Sequence, residues 1–204
     1  MTQPPLHPIE AESYSIMASR VDLSGWAAGA RQVVARMVHA TADESFAQSA
    51  RIGAEAVGAA IGALRGAAPV VCDSKMVAAG VPQVASLTNV VCYLDRVPAP
   101  PPPATRSAAA IDLAAGEHPV GAIWVIGNAP TALARLVSLH RAGVIRPAVV
   151  IGLPVGYVGA AEAKEELWAS TLREVSVTNR GFRGGSPVAA AALNALARLA
   201  SGPG

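Results

Sequence analysis

Apolar residues along this chain follow two rhythms. In the first third they recur at helical spacing. Residues 9–20 put Ile9, Ile16 and Met17 on one face and predict a helix. Ser24 has N-cap chemistry, and Trp26, Ala30, Val33 and Met37 form the stripe of a second helix that ends near His39. Residues 46–65, rich in alanine and glycine, predict a third, closely packed helix. Then the rhythm changes. Short apolar runs at 69–72, 89–93, 122–126, 148–151 and 175–177 predict five strands. Runs without alternation suit strands covered on both faces, as in parallel sheets. Helical segments at 76–80, 105–115, 130–142, 158–170 and 187–200 punctuate them. In 130–142, Leu133, Leu136, Val137 and His140 keep helical spacing, and Ser186 before Pro187 reads as an N-cap with a first-turn proline. Strands alternating with helices predict βαβ units, an α/β fold and a mostly parallel sheet.

Composition narrows the class. The chain has 204 residues, a length for which one domain is expected, and no internal repeat. Its hydrophobic fraction of 52% against 15% charged residues describes a folded core. The net charge is only +2 without a basic stripe or polybasic run, so neither nucleic acid nor an anionic membrane is an expected partner. The most apolar stretch, 187–200, is interrupted by Asn194 and Arg198 and makes no membrane span. Residues 1–10 lack the basic and apolar regions of a secretory signal, so a cytoplasmic location is expected. Cys72 and Cys92 fall in apolar runs and read as core thiols. The prolines at 98–103 read as a stiff surface connection.

Ligands of open parallel sheets bind beyond the carboxyl ends of the strands. The segments there are Asp73-Ser74-Lys75, Leu94-Asp95-Arg96, 127–130, 152–156 and Thr178-Asn179-Arg180-Gly181. Two are glycine-rich: Gly152, Gly156 and Gly159 precede one helix, while Gly181, Gly184 and Gly185 precede another and interleave with Arg180 and Arg183. Either they are ordinary turns, or their backbone N–H groups and arginines receive an anion. Nucleophile-elbow, Walker and dinucleotide signatures are all incomplete, and no zinc-type spacing occurs, so no metal or nucleotide cofactor is expected.

Among the histidines, His140 lies on an apolar stripe and reads as packed core, His118 as exposed in a turn, and His7 as near a terminus. His39 ends a helix three residues after Arg36, so the two share a face. Two roles stay open for it: a helix-end cation favoured by the macrodipole, or a general acid/base. Ser13 shares the face of Ile9, Ile16 and Met17; its hydroxyl either bonds back to a helix carbonyl or faces a ligand.

Taken together, several blocks resemble the precorrin-8X and cobalt-precorrin-8 methylmutases of cobalamin biosynthesis. They are Arg36-Met37-Val38-His39-Ala40, Cys72-Asp73 with Met76-Val77-Ala78-Ala79-Gly80, Thr105-Arg106-Ser107-Ala108-Ala109, Gly127-Asn128-Ala129-Pro130-Thr131-Ala132-Leu133, Pro154-Val155-Gly156 with Val158-Gly159-Ala160-Ala161-Glu162, and Arg180-Gly181 with Gly184-Gly185-Ser186. The blocks run in order along nearly the whole chain. The resemblance implies a three-layer α/β/α fold and a homodimer with its pocket near the subunit interface. It implies a cofactor-free isomerase that moves a methyl group from carbon 11 to carbon 12 of a tetrapyrrole, with His39 as the catalytic histidine and Ser13 and Arg36 in contact with substrate. Arg106, Asn128, Arg180 and Arg183 are further candidates for its carboxylates. Two stretches depart from the family pattern: Ser74-Lys75, where an acidic residue usually precedes the methionine, and the proline run 98–103, where the connection is usually more helical. A nucleotide-dependent α/β enzyme and a non-catalytic corrinoid carrier are the competing readings.

Overall fold

The computed structural model describes residues 7–202. Helix α1 spans Pro8–Arg20 and α2 Ala28–Thr41. A short α3, Ser45–Ser49, leads into β1, Ala50–Ile52, and α4, Ala56–Arg65. Then come β2 (Val70–Cys72), α5 (Lys75–Ala79), α6 (Pro82–Ala85) and β3 (Val90–Cys92). The rest alternates: α7 (Arg106–Glu117), β4 (Ile123–Ile126), α8 (Pro130–Arg141), β5 (Val149–Gly152), α9 (Ala160–Trp168), β6 (Ser176–Asn179) and α10 (Ser186–Ser201).

The six strands form one sheet in the order β1-β6-β5-β4-β2-β3. All pairs are parallel except β1 with β6. Helices cover both faces. On one side Val33, Met37, Ala60 and Leu193 from α2, α4 and α10 pack against Cys72, Val125 and Ile151. On the other, Ile111, Leu136 and Leu167 from α7, α8 and α9 pack against Val71, Trp124 and Val150. Alternate residues of each strand thus enter opposite cores, which is why β4 and β5 are buried throughout and read as unbroken apolar runs. The expected three-layer α/β/α fold is observed.

Several local expectations need correction. The predicted helix 46–65 is broken by β1. The register Ala50↔Asn179, Arg51↔Thr178, Ile52↔Val177 and the bond from Gly53 N–H to Ser176 O draw this segment onto the sheet edge. Gly53 permits the approach, since a Cβ there would meet Arg173 O at 1.9 Å. Ser24 does not cap α2; its N–H bonds Asp22 Oδ1 in a preceding turn, and the N-cap is Ala27. Ser186 is the first helical residue of α10 and Gly185 its cap. Cys92 is only half-buried, because β3 is an edge strand. His118 is not free in a turn: it caps α7, half-buried, with Nε2 2.8 Å from Tyr93 Oη. His140 bridges Ile145 O and Thr171 Oγ1 at 3.2 and 2.9 Å, a structural role.

Candidate active site

The chain reverses its winding between β2 and β4, since β3 lies outside β2 while β4, β5 and β6 build the other way. Such a switch point leaves a crevice at the carboxyl edge. Here a buried carboxylate shapes it. Asp73, one residue beyond β2, accepts from the N–H groups of Gly127 (2.9 Å, Oδ1), Asn128 (2.8 Å, Oδ2) and Ala129 (2.7 Å, Oδ2) beyond β4. Burial pushes its carboxyl pKa up, against the pull of these three donors. The next residue, Ser74, caps α5 by accepting from Val77 N–H, and Lys75 pairs with Asp95 at 2.5 Å. The departure from the family pattern at 74–75 is thus absorbed by a cap and a surface ion pair. The Asn128 side chain is left exposed.

The glycine-rich loops pack on each other. Gly156 N–H donates to Phe182 O, Gly185 N–H donates to Leu153 O, and a Cβ on Gly184 would meet Leu153 O at 2.3 Å. Two backbone donors that a phosphate cradle would use are therefore already spent between the loops, which weakens the nucleotide reading. The arginines remain outward: Arg180 and Arg183 are exposed, and Arg183 is ion-paired with Asp43, just beyond α2. Beneath them Lys164 is fully buried, and burial pulls its ammonium down from the ordinary lysine value to about 8.

Asp43 connects this edge to the helix that carries His39. Val33, Val34, Met37 and Val38 bury one side of α2 against the core, which turns Arg36 and His39 toward α1. His39 lies in the last turn, where the helix dipole favours a cation. The helix stops at Ala42, held in the left-handed region at φ 50°, and Thr41 Oγ1 donates to Met37 O at 2.8 Å. The imidazole meets two side chains of α1. Ser13 Oγ lies 3.2 Å from Nδ1, and the Tyr14 ring stacks on it at 4.6 Å with an interplanar angle of 12°. Arg36 Nη1 donates to Glu10 Oε1 at 2.9 Å and to Tyr14 Oη at 3.0 Å.

Glu10, Tyr14, Arg36, Ser13 and His39 thus form one connected cluster between two helices. Ser13 takes neither a helix carbonyl nor open solvent; it takes the histidine. Arg36 is partly occupied by Glu10. A groove of about 740 Å³ adjoins the cluster, with Tyr14, Met17, Leu23 and Arg31 in its walls. Arg106 stands apart, in the opposite helical layer, with Nε donating to Val97 O at 2.9 Å. Sequence reasoning missed Glu10, Tyr14 and Lys164, and marked Asp73 only by its place beyond a strand. Glu10 and Tyr14 are four residues apart, and that helical spacing was the one available signal for a shared partner. Among the described residues, no group of three or more His, Cys, Asp or Glu is placed to hold a metal, and no helix is long and apolar enough to cross a membrane.

The fold and site define a three-layer α/β/α protein with a histidine-centred polar cluster at the carboxyl side of its sheet. The sequence profile of precorrin-8X methylmutases matches residues 8–199. The chain is 38% identical to the precorrin-8X methylmutase of Pseudomonas aeruginosa, over 93% of each chain. It is 39% identical to the cobalt-precorrin-8 methylmutase of Methanothermobacter thermautotrophicus, over 87% of this chain and 84% of that one. The crystal structure of the Thermus thermophilus precorrin-8X methylmutase superposes with a TM-score of 0.84, at 36% identity and 95% coverage of both chains. This chain belongs to the precorrin-8X methylmutase family.

Proposed function

We propose that this chain is an isomerase of corrin biosynthesis that moves a methyl group from carbon 11 to carbon 12 of precorrin-8X, or of its cobalt form, giving hydrogenobyrinate or cobyrinate. The observation that carries the mechanism is the contact between His39 Nδ1 and Ser13 Oγ at 3.2 Å. When Nδ1–H of the protonated imidazole donates to Ser13 Oγ, Nε2–H is left to give its proton to the substrate, and the neutral imidazole that remains takes it back. Protonating the ring system near ring C eases migration of the methyl group. Substrate and product are isomers, so the proton given must be taken back before release. One histidine serves as acid and then as base, and no external reactant is consumed.

The substrate carries many carboxylates around an apolar ring. Arg36, Arg180 and Arg183, with Asn128 and Ser13, are assigned to hold and orient it, and Arg106 to a carboxylate reaching the opposite layer. Residues 1–204 act as one domain, in the cytoplasm, as a homodimer with the pocket near the interface. Ile9 and Ile16, exposed at 71% and 53% on α1, support such a covered face.

The test is conversion. Purified protein is mixed with precorrin-8X and the visible spectrum followed, then titrated with hydrogenobyrinate. Turnover and a saturable spectral shift are expected; absence of both overturns the reading. Binding without turnover would leave the corrinoid-carrier alternative in its place.

A further inference from the structure

Under the arginine loop lies a charge that the chemistry above does not use. Lys164, on α9, is fully buried. Its Nζ donates to Asn179 Oδ1 at 3.0 Å and to the main-chain carbonyl of Arg183 at 2.6 Å. Asn179, the last residue of β6, is fully buried too. Its Nδ2 donates to the carbonyls of Arg180 and Arg183, at 3.0 and 3.1 Å. One ammonium and one amide therefore grip both ends of residues 180–183 by the backbone.

Burying an ammonium is costly, and its partners here are a neutral amide oxygen and a neutral carbonyl. An apolar side chain of similar volume would fill the site without that cost, so packing gives no reason for a lysine. The loop above it does. Two exposed cationic side chains sit three residues apart on a turn that passes through Gly181 at φ +81°. Mutual repulsion and a permissive glycine would let such a turn wander. The buried donors take its inward carbonyls and fix where each arginine leaves the backbone. On the far side, Asp43 holds the Arg183 guanidinium until a stronger anion competes for it.

We propose that Lys164 and Asn179 are positioning residues that set Arg180 and Arg183 against the carboxylates of the substrate. This rests on the methylmutase reading of the site.

Two variants test it, by titration with hydrogenobyrinate and by turnover of precorrin-8X. Lys164→Met removes the ammonium. Asn179→Asp keeps an acceptor for Lys164 but removes the amide donor, so the Arg180 carbonyl is released and the Arg183 carbonyl keeps Lys164 alone, while the buried pair survives. It carries the test should Lys164→Met fail to fold. Both are expected to weaken product binding about tenfold or more and raise KM in step, with kcat within about threefold of wild type. In an Arg180→Ala/Arg183→Ala background, Asn179→Asp is expected to add no further loss, because a positioning residue acts only through what it positions. Wild-type affinity in Asn179→Asp, or an additive loss in that background, would overturn the clamp while leaving the methylmutase reading intact. A wild-type protein that neither binds nor converts the tetrapyrroles overturns both.

Discussion

The two sides of the candidate site are held in opposite ways. The carboxyl-edge loops are fixed from beneath by buried polar groups: Asp73 takes three backbone donors, while Lys164 and Asn179 grip two backbone carbonyls. Across from them, α1 buries none of its residues, yet it supplies Ser13 and Tyr14 to His39. It is retained by an aromatic stack, Met17 packed at the edge of the core, and a partly buried ion pair. Buried donors and acceptors fix a backbone firmly because breaking them strands a desolvated polar group. A helix held by its rim can open without unfolding the rest. The difference suggests a division of labour, with a fixed floor for the substrate's charges and an adjustable wall beside its reacting ring.

Substitutions on each side test this contrast. The largest effect is expected at the point where the two sides meet the chemistry. His39→Ala should lower turnover by ~10²–10⁴-fold while leaving hydrogenobyrinate binding intact. Full activity in that variant would remove His39 from the reaction. On the fixed side, Gly184→Ala drives a Cβ into the backbone oxygens of Leu153 and Pro154, at 2.3 and 2.4 Å. It should cost ~2–4 kcal/mol in urea unfolding, because backbone cannot yield as a flexible side chain would. A neutral outcome would mean the floor is softer than its packing indicates.

Lys164 titrates near 8 in the folded protein and at the ordinary lysine value of 10.5 when unfolded. Between those values the unfolded chain binds more protons, so stability should rise with pH across the window, by ~2–3 kcal/mol in total. Urea midpoints of wild type and Lys164→Met at pH 7.5 and 10 isolate the effect, since other titrations cancel in the comparison. Equal pH slopes in the two proteins would contradict it. The smallest effect is expected on the adjustable side. Glu10→Ala frees Arg36 and should cost only ~0.5–1 kcal/mol, while speeding hydrogen exchange in α1 more than in α8. Uniform exchange across both helices would erase the contrast.

Legibility in the sequence followed burial. The apolar runs of β2, β4 and β5 are uninterrupted because both faces of the sheet are covered there. β1 was illegible: Ala50-Arg51-Ile52 has no run of its own, and it exists because β6 and Gly53 receive it. The shared face of Arg36 and His39 was legible from their three-residue spacing, whereas Ser13 was tied to them only by the family resemblance. Lys164 was hidden for a different reason. In Ala160-Ala161-Glu162-Ala163-Lys164-Glu165-Glu166 it looks like one more surface charge, and only the tertiary structure shows it facing inward. Asp73 stood at a position already marked as informative, but a carboxylate just beyond a strand does not announce whether it will meet a ligand or a backbone.

Asp73 also has a bearing on how the sheet assembles. Its two oxygens reach three consecutive amides beyond β4 only with Cys72 opposite Val125. A slip of one residue between β2 and β4 would send every side chain of one strand to the wrong core and set Cys72 or Ser74 before those amides. Neither side chain can accept from all three. The residue that shapes the crevice therefore also acts as a registration mark between the two strands at which the winding of the sheet reverses.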